Sequence, residues 1–243
     1  MAIFKDKGVV LREQAVNESD KRVTLLLKEH GKLTASVRGA RKPKSKLAAA
    51  TQTFTYGEYV LLEGNGFFSL TQAAVLESFH GLRKRYETYC RAMYFLELAD
   101  GMLLRDMAAR EPLRLLLRGL QALARGMPHE ELAAAVFTYK FLQAEGYSPC
   151  MDFCAFCGEE ADGPRLFFTA DGLCCRNCVK TLRGRSIAID GAASAAIRAV
   201  LAAEAENLFR MDAPEELRLA LSKTSALFRE ENLDLRLKSL ELI

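Results

Sequence analysis

The chain has 243 residues, of which 50% are hydrophobic, and a formal net charge of +3 at neutral pH. This size allows a substantial buried core and two domains. No run approaches the roughly 18 apolar residues of a membrane span, and residues 1–7 lack the apolar stretch of a secretory leader, so we expect a soluble cytoplasmic protein.

The charge is distributed unevenly along the chain. Residues 1–46 contain twelve Lys or Arg and five Asp or Glu, a balance of +7, so the remaining residues have a balance of −4. A basic N-terminal module on an acidic body is expected when one end contacts nucleic acid and the other contacts protein. A basic surface that is only solvated has the same pattern, and charge alone leaves both interpretations open.

Residues 1–79 have the pattern of a small β domain. The predicted strands cover residues 7–12, 22–27, 32–38, 55–63 and 67–73. The third strand alternates strictly, with Leu33, Ala35 and Val37 on one face, and Gly64-Asn65-Gly66 is a strong hairpin signal between the last two. Five short strands with a basic loop predict a closed barrel of the oligonucleotide-binding (OB) kind.

A basic loop follows the third predicted strand, where Gly39 and Pro43 interrupt regular structure and like charges are crowded. We expect this loop to contact phosphate, while aromatic rings of the barrel stack on bases. The candidate rings belong to Phe54, Tyr56, Tyr59, Phe67 and Phe68. About every second strand residue of a small barrel points inward, so most of these rings are expected in the core and no single one is assigned.

From about His80 the apolar residues recur at helical spacing, which predicts amphipathic helices. The predicted helices cover residues 86–104, 112–125, 130–145, 191–208 and 214–231. Residues 233–243 alternate as a strand would, and a terminal helix or a docked tail fits them equally well. We expect the helices to form one bundle with a small module inserted between the third and the fourth.

Two Cys-x-x-Cys pairs mark that inserted module. Cys154 and Cys157 form the first pair, Cys175 and Cys178 the second, and seventeen residues separate the pairs. A tight turn directs each pair of thiolates at one point, so two pairs complete a tetrahedral shell of four sulfurs around Zn²⁺. Four protein ligands leave no open position for water or substrate, which predicts one structural zinc ion per chain.

A strand over residues 165–169 and a turn over residues 170–172 are predicted between the two pairs, which gives a zinc ribbon. Cys174 lies beside Cys175 and is an alternative ligand, although only Cys175 makes the Cys-x-x-Cys step to Cys178.

Other roles for the cysteines fit the sequence less well. A dithiol redox centre needs one pair and leaves the second unexplained, and the odd number of cysteines, seven, does not suit a disulfide framework. A zinc deaminase needs His-x-Glu followed by Pro-Cys-x-x-Cys. Here His129-Glu130-Glu131 is followed by Pro149-Cys150, and the next cysteine, Cys154, is one residue too far.

The sequence contains no recognisable catalytic constellation. Its three histidines, His30, His80 and His129, are far apart. No Ser/His/Asp or paired-carboxylate arrangement can be argued, and no glycine-rich loop precedes a Lys-Ser/Thr. We therefore expect a binding protein rather than an enzyme.

Several short motifs occur in an order that resembles a known family. The N-terminal motifs are Val10-Leu11-Arg12, Glu18-Ser19-Asp20, Thr24-Leu25-Leu26, His30-Gly31-Lys32 and the basic segment 38–45. The later motifs are Gly146-Tyr147-Ser148-Pro149, the cysteine array with Gly158, Phe168 and Gly172, and the segment 236–240. Over most of its length the chain resembles the bacterial RecO family of DNA-repair and recombination-mediator proteins.

The resemblance implies an α+β protein with three parts: an OB-fold domain at residues 1–79, a helical domain at 80–148 and 184–243, and a zinc-binding module at 149–183. It also implies binding of single- and double-stranded DNA and annealing of complementary strands. RecR would act with the protein to load RecA onto strands covered by single-stranded-DNA-binding protein (SSB), whose C-terminal tail contacts the helical domain in the family. No catalytic residue comes with this resemblance.

The family's basic motif suggests which residues contact DNA. The candidates are Arg38, Arg41, Lys42, Lys44, Lys46, Lys21 and Arg22. The two arginines of the motif, Arg38 and Arg41, come first, with the lysines beside them next and Lys21 and Arg22, which lie outside the motif, last. The alternative is a zinc-ribbon protein that binds RNA or the transcription machinery through the same basic barrel; preference for RNA without strand annealing would favour it.

Overall fold

The computed structural model describes residues 2–105, 107–161 and 166–242. Contacts divide the chain into two units, one of Met1–Gly126 with Leu237–Ile243 and one of Met127–Arg236. Each unit has its own buried residues and its own candidate site.

The first unit is built around a closed barrel of five strands. The strands are β1 (Ala2–Ala15), β2 (Lys21–Leu27), β3 (Gly31–Val37), β4 (Tyr56–Gly64) and β5 (Phe67–Glu77). Their order around the barrel is β1-β2-β3-β5-β4, and β4 closes it by pairing with β1. All pairs are antiparallel except β3 with β5. The predicted OB barrel is confirmed.

The barrel interior contains the side chains that the strand alternation predicted. Leu33, Ala35 and Val37 of β3 are buried in one cluster with residues of the other strands. Tyr59 is completely buried there, and its hydroxyl donates to the carbonyls of Ala50 (3.1 Å) and Thr55 (3.0 Å). Burial raises the pKa of Tyr59, so the hydroxyl keeps its proton and remains a donor.

The first unit also contains the α-helices α1 (Tyr86–Met102) and α2 (Arg110–Ala124) and a short 3₁₀ helix at His80–Arg83. No strand forms over the described residues 233–242; a short 3₁₀ helix at Lys238–Leu242 docks on α1. Ser239 holds it there, because its backbone N–H and hydroxyl donate to Glu97 Oε2 at 3.0 and 2.7 Å. The structure thus combines the two alternatives to a strand, since the docked tail contains a short terminal helix.

The second unit combines helices with a three-stranded sheet. The helices are α3 (Glu130–Ala144), α4 (Gly191–Ala202), α5 (Ala205–Leu208) and α6 (Glu215–Asn232). The sheet has the order β7-β6-β8, with β6 (Leu166–Thr169), β7 (Gly172–Cys174) and β8 (Ile187–Ile189). The strand β8 was not predicted, and Arg165, the first residue of the predicted ribbon strand, lies outside the described residues.

The sheet is inserted between α3 and α4, as expected for the small module, and it packs on the helices through aromatic rings. Phe168 of β6 lies edge-on to Tyr139 of α3 and Phe228 of α6, with ring centroids 6.1 and 6.3 Å apart. The helix predicted over residues 191–208 is divided into α4 and α5, because Ala203 and Glu204 adopt extended conformations. None of the described helices has the length and apolar composition needed to span a bilayer.

The boundaries predicted for three domains stay a prediction. Contacts group α1 and α2 with the barrel, and α3 to α6 with the three-stranded sheet. This grouping describes packing, whereas the predicted boundaries separate the chain by type of secondary structure.

Candidate metal centre and nucleic-acid interface

The two cysteine pairs meet at one point in the second unit. The sulfurs of Cys154, Cys157, Cys175 and Cys178 all lie within 4.8 Å of one another. Cys157 Sγ and Cys175 Sγ are 3.9 Å apart. A tetrahedral metal with bonds of about 2.3 Å to sulfur separates its ligands by about 3.8 Å. The four thiols therefore fit a metal ion, as their spacing in the sequence predicted.

Backbone hydrogen bonds bring the first pair onto the sheet. Leu173 donates its N–H to the carbonyl of Cys150 at 2.7 Å, and Ala155 donates to Leu173 at 2.8 Å. Cys154 Sγ in turn accepts from the backbone N–H of Cys175 at 3.4 Å. These bonds align the first cysteine turn along β7, which leads directly into the second turn.

Cys154 is prepared to act as a thiolate ligand. Burial by itself raises the pKa of its thiol, but the backbone N–H groups of Cys175, Phe156 and Cys157 outweigh that effect and lower the pKa to about 6. A thiolate at neutral pH is the form that binds metal.

The neighbouring cysteines are not part of the cluster. Burial, followed by the adjacent sulfurs of Cys154 and Cys175, raises the pKa of Cys174 to about 11, so it stays a thiol. Its sulfur lies 3.6 Å from the carbonyl of Cys175. Cys150, which a deaminase would need as a ligand, is directed at the carbonyl of Phe153 at 3.4 Å. The clustered sulfurs are the four that the two Cys-x-x-Cys steps define.

The predicted DNA-binding loop lies after β3 in the first unit. The exposed cations on it are Arg38, Arg41, Lys42, Lys44 and Lys46. Asp20 holds the loop by accepting the N–H of Gly39 at 2.7 Å, and Arg41 donates to the carbonyl of Asn17. Because the Gly39 N–H, then the Asn17 and Ser19 side chains, donate to it, the pKa of Asp20 is lowered. The loop is thus fixed to the β1–β2 connection with its charges outward.

The two further candidates begin β2 and have different surroundings. Lys21 forms an ion pair with Glu13 of β1. Arg22 is exposed, opposite Gln14 of β1 and Ser36 of β3. Both lie beside the basic loop, because Lys21 pairs with Val37 of β3 and the loop begins directly after Val37.

A groove with a volume of about 500 Å³ is lined by residues of β1, β2, β3 and the start of β5, together with Arg105. Its charged and aromatic lining consists of Arg12, Arg22, Lys32, Phe67, Phe68 and Arg105. Arg22 is among the residues predicted to contact DNA, whereas the sequence did not single out Arg12, Lys32 or Arg105. The short β1–β2 connection offered a signal for Arg12, because an antiparallel hairpin brings it near Arg22. Arg105 comes from the α1–α2 connection, and no sequence signal points to it.

The five aromatic candidates differ in burial. Phe54 and Tyr59 are completely buried, and Tyr56 and Phe68 are half-buried. Phe67 is 77% exposed. Of the five, Phe67 alone offers most of its ring surface to a ligand.

The difference in net charge is larger between the two structural units than between residues 1–46 and the rest of the chain. The first unit contains 22 Lys or Arg and 14 Asp or Glu, a balance of +8, so the second has a balance of −5. Helices α1 and α2 therefore belong to the basic unit, although the sequence placed only residues 1–46 in the basic module.

Comparisons with known proteins agree with this architecture. The family described as "Recombination protein O N terminal" matches residues 1–79, and "Recombination protein O C terminal" matches residues 83–241. Several proteins named "DNA repair protein RecO" are similar to this chain over nearly all of its length. The one from Acetivibrio thermocellus is 29% identical over 100% of this chain and 97% of its own. The one from Clostridium novyi is 30% identical over 100% and 94%.

A third relative of the same name, from Desulfitobacterium hafniense, is 31% identical over 98% of this chain and 88% of its own. The two family matches together leave only a few residues of the chain uncovered. The chain belongs to the RecO family of DNA repair proteins.

Proposed function

We propose that the protein is a recombination mediator that binds single- and double-stranded DNA and anneals complementary strands. With RecR it would help to load RecA onto single strands covered by SSB, whose C-terminal tail would bind the helical part of the chain. The observation that carries this proposal is an OB barrel in a unit with a balance of +8, in a member of the RecO family. Its place of action would be the nucleoid in the cytoplasm.

The proposed mechanism is electrostatic and involves no catalytic residue. Lys and Arg of the first unit neutralise phosphates on two strands, which lowers the repulsion between them. Base pairing then supplies the free energy of annealing. The first residues proposed to contact phosphate are Arg38 and Arg41, supported by their exposure and by the tether between the loop and Asp20.

The metal that we propose for the cysteine cluster is Zn²⁺, one ion per chain. Four thiolates suit zinc and close its coordination shell, so the bound ion would stabilise the ribbon and offer no site to a substrate. Cys154, Cys157, Cys175 and Cys178 would hold it.

The proposal is tested by annealing of two complementary DNA strands, each coated with SSB, with and without the protein. We expect faster annealing that diminishes as salt increases, because phosphate contacts are screened. Naked complementary strands and coated non-complementary strands are the controls. Absence of acceleration on both coated and naked strands would refute the mediator function. Tighter binding to RNA, without annealing, would favour an RNA-binding function instead.

A further inference from the structure

The groove on the barrel has features that the basic loop does not explain. We propose that it binds a single nucleic-acid strand, that Phe67 stacks on one base of that strand, and that Arg12, Arg22 and Arg105 contact adjacent phosphates. This inference rests on the proposed function, since it takes DNA as the ligand. Beyond that function, the inference identifies Phe67 as the residue that distinguishes a single strand from a duplex.

Phe67 is held outward by the strand that it begins. It follows the β4–β5 hairpin, where Asn65 and Gly66 have positive φ values of 49° and 76°, and it pairs with Gly64. The next residue, Phe68, packs against the barrel core, edge-on to Phe4 at 6.1 Å. Successive side chains of a strand point to opposite faces. The burial of Phe68 therefore directs Phe67 to the outside, where its ring is 77% exposed.

The groove presents positive charge that the described residues leave largely without ion-pair partners. Among the residues that the structure describes, no carboxylate lines it, and Arg12, Arg22 and Arg105 have no ion-pair partner. Lys32 differs, because its ammonium group lies 3.5 Å from Asp100 Oδ1 and donates to the Asp100 carbonyl. Three guanidinium groups are thus available for phosphate, to which arginine donates in a bidentate manner.

Arg105 is fixed at the groove by a close backbone contact. It forms β-bridges with Gly31 and Lys32 at the start of β3. Gly31 has a φ of +63°, and a Cβ on it would lie 2.0 Å from the carbonyl oxygen of Met107. Only glycine allows the α1–α2 connection to approach β3 so closely. The position of Arg105 is therefore built into the fold.

An exposed ring among unpaired arginines matches the chemistry of a single strand. Stacking on an aromatic side chain needs the free face of an unpaired base, and every base has such a face. In a duplex both faces of an internal base are covered by the neighbouring bases, so the Phe67 ring cannot stack on it. The groove is thus expected to favour single strands, while the basic loop binds phosphates of either form.

The experiment measures the affinity of the full chain for three ligands of equal length: a thymidine strand, an abasic strand and a duplex. Phe67→Ala should weaken binding of the thymidine strand about tenfold or more. It should change binding of the abasic strand and the duplex little, since the abasic strand has no bases and the internal bases of the duplex are stacked on both faces. Phe67→Tyr should bind as the original protein does. Arg105→Ala should lower the salt slope of single-strand binding by about 0.7.

Val75→Ala is the matched control, because it removes an apolar side chain that is 46% exposed on the same strand, outside the groove. Unchanged thymidine-strand affinity for Phe67→Ala would overturn the inference and leave the proposed function intact. Equal weakening of the thymidine and abasic strands would also overturn it, because no stacking would be involved. A different result would be an acidic peptide that displaces the thymidine strand from the original protein but does not bind Phe67→Ala. That result would assign the groove to a protein partner. If the unaltered protein binds none of the three ligands, the proposed function itself fails.

Discussion

Gly172 is the residue that allows the two cysteine turns to meet. It has a φ of +123°, and a Cβ on it would lie 2.1 Å from the carbonyl oxygen of Cys150 and 2.4 Å from its nitrogen. Both contacts are with backbone, which cannot rotate away. A side chain at this position would separate β7 from the first cysteine turn and so widen the metal site.

Gly172→Ala is therefore expected to destabilise the second unit by about 2 kcal/mol or more, because it combines backbone strain with a clash. It should also reduce the bound zinc. The matched control is Gly184→Ala, since a Cβ on Gly184 meets nothing within 4 Å. Thermal unfolding and metal analysis measure both effects. Equal stability and equal zinc in the two variants would contradict this account of the ribbon.

At the scale of elements, the ribbon is too small to be stable by itself. Its strands β6, β7 and β8 have four, three and three residues, and short sheets need packing or a metal for stability. Phe168 supplies the packing by contacting Tyr139 and Phe228. The cysteine cluster is expected to supply the rest through the bound metal.

A chelator should consequently release about one zinc ion per chain and increase amide exchange in the ribbon, while exchange in the barrel stays unchanged. Cys157→Ser should have the same effect, because it removes one of the four ligands. Cys150→Ser is the control, since Cys150 lies in the same turn region but outside the cluster. Absence of metal from carefully prepared protein, or full zinc retention by Cys157→Ser, would argue against a zinc ribbon.

At the scale of the whole molecule, the charge separates into a basic and an acidic unit. The balance of +8 belongs to the unit with the barrel, and the balance of −5 to the unit with the ribbon. DNA is attracted to positive surfaces and repelled by negative ones. The two units are therefore expected to contribute differently to the salt dependence of DNA binding.

Replacement of Arg38 and Arg41 by Ala together should flatten the log–log salt slope of single-strand binding by about 1.4, since each phosphate contact contributes about 0.7. The control replaces two exposed cations of the other unit, Arg210 and Lys223, by Ala. Both pairs of substitutions change the net charge equally. An unchanged slope for the first pair, or an equal change for both, would place the DNA-binding surface elsewhere.

The sequence by itself determined the elements whose signals are local. Alternation over residues 32–38, the Gly64-Asn65-Gly66 hairpin and the spacing of the four cysteines each depend on residues close in the chain, and β3, the β4–β5 hairpin and the sulfur cluster confirm them. Helices predicted from apolar spacing were right within a few residues wherever tertiary contacts did not interrupt them.

Tertiary structure alone decided the features that need distant residues. Two adjacent aromatic residues, Phe67 and Phe68, look alike in the sequence, and only closure of the barrel shows which one points outward. Arg105 reaches the groove because the α1–α2 connection packs on Gly31, more than seventy residues earlier in the chain. Periodicity records which face of an element is apolar, but not which other element covers that face, so the groove appeared only when the chain was folded.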